Sequence, residues 1–216
     1  MKKLTRLTAA ALAVIFAVFC FAGCGKKDEV VDIDANPEYG AGIDPAKITE
    51  NQAKSVLIGL LPNAIFYQSF VTDPSLSTSL RSKDVDYTLD ENKGYYPLSS
   101  KYGLASYDNL VFGLNRYFSP NFAKALIEAL NGTDPETGDK VARYKMINGV
   151  LHIYPEFTST VNLKEITATY DSFEITSRSE DSFKVKIHAE MDGETGTQEI
   201  TLKKIDGAWY VDAILI

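Results

Sequence analysis

The sequence predicts an α+β domain, with N-terminal helices packed on a curved antiparallel sheet. Three observations predict it. Apolar residues recur at helical spacing between residues 56 and 130, the period changes to two from residue 143 onward, and Asn148-Gly149 and Asp206-Gly207 each join two alternating segments. Helices gathered in one half of a chain and strands in the other mark the α+β class.

Ahead of any fold lies an address. Met1-Lys2-Lys3-Leu4-Thr5-Arg6 is a basic start, and Leu7 to Phe21 is an apolar run broken only by Thr8, the plan of a secretory signal. The run is shorter than the ~20 residues a helix needs to cross a bilayer. It ends in Phe21-Ala22-Gly23-Cys24, which resembles the bacterial lipoprotein cleavage box, with Phe21 where that family usually has Leu. The resemblance implies a signal peptide over residues 1–23. It also implies that Cys24 is the lipidated first residue of the mature chain, held by its lipid at the extracytoplasmic face of the membrane of a Gram-positive bacterium.

The chain has two cysteines, and Cys20 would leave with the signal, so no thiol remains for a disulfide, a nucleophile or a thiolate metal site. The formal charge of −7 becomes more negative when Lys2, Lys3 and Arg6 are lost. That excludes nucleic acid as a partner and suits a cationic one.

Residues 24–48 mix Gly, Pro, Asp and Lys without periodicity and read as a tether with a reach on the order of 25–30 Å. Residues 49–216 suffice for one domain with a proper core. Its first helix starts at the capping box Thr49-Glu50-Asn51-Gln52, and Val56, Leu57, Leu60, Leu61, Ala64, Ile65 and Phe70 give it an apolar stripe. Pro62 inside that stripe predicts a kink or a break. A polar loop follows over 72–92, with at most a short strand near Val85 to Leu89. Ser106 caps a second helix carrying Leu110, Leu114 and Phe118. Ser119-Pro120 starts a third, lined by Phe122, Ala125 and Leu126 and stopped by Asn131-Gly132.

Strands follow on both sides of Asn148-Gly149. Alternation then slips by one residue between Tyr170 and Phe173, which predicts a bulge near Asp171-Ser172. Phe183 to Met191 alternates as a half-buried strand, and two more strands meet at Asp206-Gly207.

Chemistry is sparse. His152 and His188 are the only histidines; His188 falls on a polar strand face, and His152 shares a face with Val150 and Tyr154. No Gly-rich phosphate loop, HExxH or GxSxG occurs, and the pattern implies no metal, no cofactor and no enzyme. Six of the 12 tyrosines (Tyr87, Tyr95, Tyr96, Tyr102, Tyr107 and Tyr117) fall close together; they either form a recognition surface or close the core. Beside them, Asp84, Asp86, Asp90 and Glu91 make an acidic loop suited to a basic partner, or simply a solvated one. With Tyr95 and Tyr96 these are the expected partner-binding residues. The loop 133–139 is a weaker candidate of the same kind.

The order of features resembles the secreted D,L-endopeptidase inhibitor family of Gram-positive bacteria. The resemblance lies in Gly94-Tyr95-Tyr96-Pro97-Leu98, in Tyr107-Asp108-Asn109-Leu110 leading to Tyr117-Phe118-Ser119, in the pair around Asn148-Gly149 and in Ile205-Asp206-Gly207-Ala208-Trp209-Tyr210-Val211. It implies a non-catalytic inhibitor of cell-wall hydrolases that cut peptidoglycan stem peptides. The closing strands are also similar to the nuclear-transport-factor-like superfamily, and the sheet to cystatin-like ones. That likeness implies a cone-shaped sheet with a ligand pocket, to which Tyr170, Phe173 and Trp209 would contribute.

Overall fold

A computed structural model describes residues 40, 42–73, 75–159, 167–191 and 194–215; of residues 159, 167–171, 188–191, 194–195 and 213–215 it describes the backbone. The chain divides into two units, Met1–Ile33 and Asp34–Ile216, and every described residue belongs to the second. The expected signal peptide and Cys24 lie outside the described residues.

Helix α1 spans Glu50–Thr72 and begins with the expected capping box: Thr49 Oγ1 accepts from Gln52 N at 3.3 Å and Gln52 Oε1 from Thr49 N at 3.0 Å. Pro62 does not break it. The proline ring is exposed, while Leu57, Leu60, Leu61 and Ala64 around it are buried. Each large buried side chain contributes about 1.5–3 kcal/mol, against about 3 kcal/mol for an interior proline. By length and apolarity α1 could span a membrane, but its apolar face is buried in the core.

Helix α2 spans Tyr107–Tyr117, capped by Ser106 Oγ accepting from Asn109 N at 3.1 Å, and α3 spans Pro120–Glu128. The corner between them differs from expectation. Ser119 Oγ caps nothing: it is buried and without a partner, while Ser119 N donates to Val211 O at 2.9 Å. The helix corner is thus stitched to the last strand by backbone. Ala125 faces solvent, and Asn131-Gly132 opens a strand rather than ending α3. Glycine is required there, since a Cβ on Gly132 would lie 2.3 Å from Thr158 O.

Among the described residues, ten strands form three sheets. Strands β1 (Tyr96–Pro97), β4 (Tyr144–Ile147) and β5 (Val150–Ile153) pair in the order β1-β5-β4. Strands β2 (Asn131–Thr133), β3 (Lys140–Ala142) and β6 (Thr158–Ser159) pair as β3-β2-β6. Strands β7 (Thr167–Arg178), β8 (Ser182–Met191), β9 (Glu194–Ile205) and β10 (Ala208–Leu215) form a meander. Every pairing within these sheets is antiparallel, which with the helices makes the fold α+β.

Both turn dipeptides do as expected: Asn148 and Gly149 have φ of 49 and 76, Asp206 and Gly207 of 51 and 85, the positive values a two-residue hairpin needs. The β7 register slips between Thr169 and Phe173, at the expected bulge, and again between Ile175 and Ser177. No strand forms over Val85 to Leu89, where the chain turns instead.

Phe183, Val185, Ile187, Ile200, Leu202 and Val211 fill the inner face of the meander against Val56, Leu57, Leu61, Leu114, Phe118 and Leu126 of the helical layer. The fold also begins earlier than residue 49. Gly40 O accepts from Trp209 Nε1 at 3.3 Å, Ile43 O from Lys204 Nζ at 2.8 Å, and Ile48 O from Arg178 Nε at 3.0 Å. A short 3-10 turn, Pro45–Lys47, capped by Asp44, lies between. One turn is too short to show periodicity, so the segment reads as linker in sequence although Ile48 is buried.

Candidate partner-binding face

The β1-β5-β4 sheet has two covered faces. Tyr144, Leu151 and Ile153 join the main core, while Ile147, one strand step out of phase, joins Tyr95, Tyr154 and Phe157 in a second, smaller cluster. The acidic loop closes over this second side.

Three residues of the sheet and its hairpin hold that loop. Asn148 Nδ2 donates to Asp84 O at 3.1 Å, and Lys145 Nζ donates to Glu91 O. His152 is 1% exposed; its Nδ1 lies 2.9 Å from Val150 O and its Nε2 2.9 Å from Tyr87 Oη. A carbonyl only accepts, so Nδ1 carries a proton, and in the neutral ring Nε2 accepts from the tyrosine. Tyr87 Oη also accepts from Ser82 N at 3.3 Å. With both nitrogens engaged and the ring buried, His152 works as a staple and does not face solvent. The His188 side chain lies outside the described residues.

The acidic residues are exposed as expected, with differing freedom. Asp86 Oδ1 accepts from Thr88 Oγ1 at 2.6 Å and Thr88 N at 2.9 Å, and these bonds, the hydroxyl's first, hold its carboxyl below the usual range. Asp84, Asp90 and Glu91 direct their carboxylates to solvent without an ion pair among the described residues.

Tyr95 is not a surface residue. It is 7% exposed, donates from Oη to Ala142 O at 2.7 Å and packs edge-on against Tyr154; burial pushes its hydroxyl pKa up. Its neighbour Tyr96 is 36% exposed, because successive strand residues alternate sides. Most of the tyrosine group is core: Tyr102 and Tyr107 pack on the main cluster, and Tyr117 stacks on Tyr67 at 5.6 Å.

Two residues missed in sequence complete the face. The Arg81 guanidinium lies 4.0 Å from the Tyr96 ring centroid and 4.8 Å from that of Tyr87, and Leu80 beside it is 95% exposed. A lone Leu-Arg pair in a polar loop has no periodicity to mark it. The clamp on the arginine is visible only in three dimensions.

The weaker loop is held by Asp134, whose carboxylate accepts from Glu136 N at 2.7 Å, Thr137 N at 3.1 Å and the Tyr154 hydroxyl. The Tyr154 bond, then the two backbone bonds, hold Asp134 below the usual carboxylate range; the same bond is the first cause pushing Tyr154 up to about 12.

Of the three expected pocket residues, the two whose side chains are described do not meet. Phe173 lies at the level of Ile187 and Gln198, whereas Trp209 pairs with Lys204 six positions further along β9. At about 3.4 Å per residue that sets them roughly 20 Å apart along the strand direction alone. Trp209 is 6% exposed and packs on Phe183, Phe173 packs on the core, and the Tyr170 side chain lies outside the described residues. Among the described residues no three His, Cys, Asp or Glu converge as metal ligands.

Compared with protein-family models and with curated proteins, the sequence matches none.

Proposed function

We propose that this chain is a membrane-anchored extracytoplasmic lipoprotein that binds and inhibits or regulates a cell-wall peptidoglycan D,L-endopeptidase, with no chemistry of its own. The observation that carries it is the stapled loop over 80–91. It offers Leu80, Leu89 and three carboxylates without an ion pair among the described residues to solvent, on a backbone tied to the sheet by His152, Lys145 and Asn148. A loop ordered before binding loses little entropy when it docks, which is what an inhibitor surface needs. Exposed leucine among acidic residues suits a partner with an apolar pocket rimmed by basic groups.

Different sheets also hold the two ends of α1. The segment 40–48 is fastened to the meander at the start of α1, while Tyr144 Oη and Arg143 Nη2 donate to Phe70 O and Asp73 O at its end. A helix of 23 residues is about 34 Å long.

The test is to mix the purified chain with the secreted D,L-endopeptidases of its host and follow cleavage of peptidoglycan peptides. Stoichiometric inhibition that weakens at least tenfold in Leu80→Ser and in the double change Asp84→Asn, Glu91→Gln is the expected result. Full hydrolase activity in molar excess of the chain would remove the proposal.

A further inference from the structure

We infer that the cleft between Tyr96 and Tyr154 is a receptor for one basic side chain, lysine or arginine, of a protein partner. This rests on reading the chain as a protein-binding module and adds the chemistry of one contact.

Thr78, Gly94, Tyr96, Tyr154, Pro155 and Glu156 line a cleft of about 270 Å³. Small-molecule pockets run from roughly 300 to 1,000 Å³, so this one fits a side chain better than a whole metabolite. Its walls are fixed before anything binds. Tyr154 is held at its hydroxyl by Asp134 and at its ring by Tyr95, 5.2 Å between centroids. Tyr96 is held by its pairing with Ile153 and by Arg81 on its ring. Gly94 keeps the space open: at φ 80 it carries no side chain, and a Cβ there would meet Tyr154 Cε2 at 2.2 Å.

The charge of the occupant follows from what is left unpaired. Glu156 is exposed and makes no ion pair among the described residues. A free carboxylate beside two tyrosine rings is the arrangement that holds an ammonium or guanidinium group. Arg81 on Tyr96 shows one of these rings already accepting a cation on a face. The local field has the same sign: after the Asp134 bond and burial, the charges of Asp134 and Glu156 hold the Tyr154 hydroxyl in its neutral form. Two cations lie near, Lys93 acting on Asp134 and Arg81 on Tyr96, and neither pairs with Glu156. An apolar occupant would desolvate Glu156 without compensation.

The experiment titrates the purified chain with Nα-acetyl-lysine amide and Nα-acetyl-arginine amide, followed by NMR, with Nα-acetyl-norleucine amide as the uncharged analogue. Saturable shifts at Gly94, Tyr96, Tyr154 and Glu156 with the basic amides are expected. They should be about tenfold weaker with norleucine and about tenfold weaker in Glu156→Gln. An equal response to norleucine, a response unchanged in Glu156→Gln, or no shifts in the cleft would overturn the inference. The titration contains no hydrolase, so a failure of inhibition removes the preceding proposal and a failure here removes only this contact.

Discussion

Tyr87 Oη and His152 Nε2, 65 residues apart in the chain, lie 2.9 Å apart across the seam between the acidic loop and the three-stranded sheet. This bond converts a polar connection with no regular structure into a surface of defined shape. It also accounts for a histidine buried in a protein with few candidates for catalysis.

Tyr87→Phe keeps the ring under Arg81 but leaves His152 Nε2 and Ser82 N without their partner. A buried group so stranded costs about 1–3 kcal/mol. Amide exchange over 82–92 should speed up relative to the core strands. Unchanged exchange would mean that Lys145 and Asn148 alone hold the loop.

The Asp134 and Tyr154 pair sets a pH dependence. Asp134 has a depressed value in the fold, so its contribution is present above the ordinary carboxylate range and is lost as pH falls through the lowered value. Tyr154, raised by Asp134, and Tyr144, raised by burial, reach about 12; their contribution is present below the ordinary tyrosine value and is lost as pH rises towards 12. Urea midpoints measured across both ranges should fall at each end, and Asp134→Asn should flatten the acid limb. An acid limb unchanged in that variant would place its origin elsewhere.

Gly113 on α2 lets Tyr67 of α1 lie against the helix backbone, and a Cβ would meet Tyr67 Cε1 at 2.1 Å. Alanine gains about 1 kcal/mol of helix propensity, and overpacking costs about 1–3 kcal/mol. The Tyr67 ring cannot easily yield, since it stacks on Tyr117 and meets Phe66 edge-on. Gly113→Ala should therefore lower stability by up to about 2 kcal/mol in urea titrations. A rise would show that the ring swings aside.

Gln198 is 1% exposed, and neither Nε2 nor Oε1 has a partner. Replacing it with methionine removes two stranded polar atoms at similar volume, so stability should hold or rise by up to about 2 kcal/mol. A loss of about 1 kcal/mol or more would show that the amide bonds a group in solution.

The sequence by itself determined the class, the two helix caps and the hairpins, because these are local: Thr49 with Gln52, Ser106 with Asn109, and two dipeptides with positive φ act within a few residues. It also marked Asp84, Asp90 and Glu91 as exposed acids, since charge seeks water wherever the chain goes. Tertiary structure alone decided what depends on distant partners. Pro62 stayed helical because burial on both sides outweighs one lost bond, and Ser119 Oγ caps nothing while Ser119 N bonds Val211 O. Tyr95 and Tyr96, adjacent and identical in sequence, were sent to opposite fates by the strand's alternation. The clamp on Arg81 and the staple at His152 join residues whose nearness no local pattern encodes, because side chains far apart in the chain meet only when the core brings their elements together.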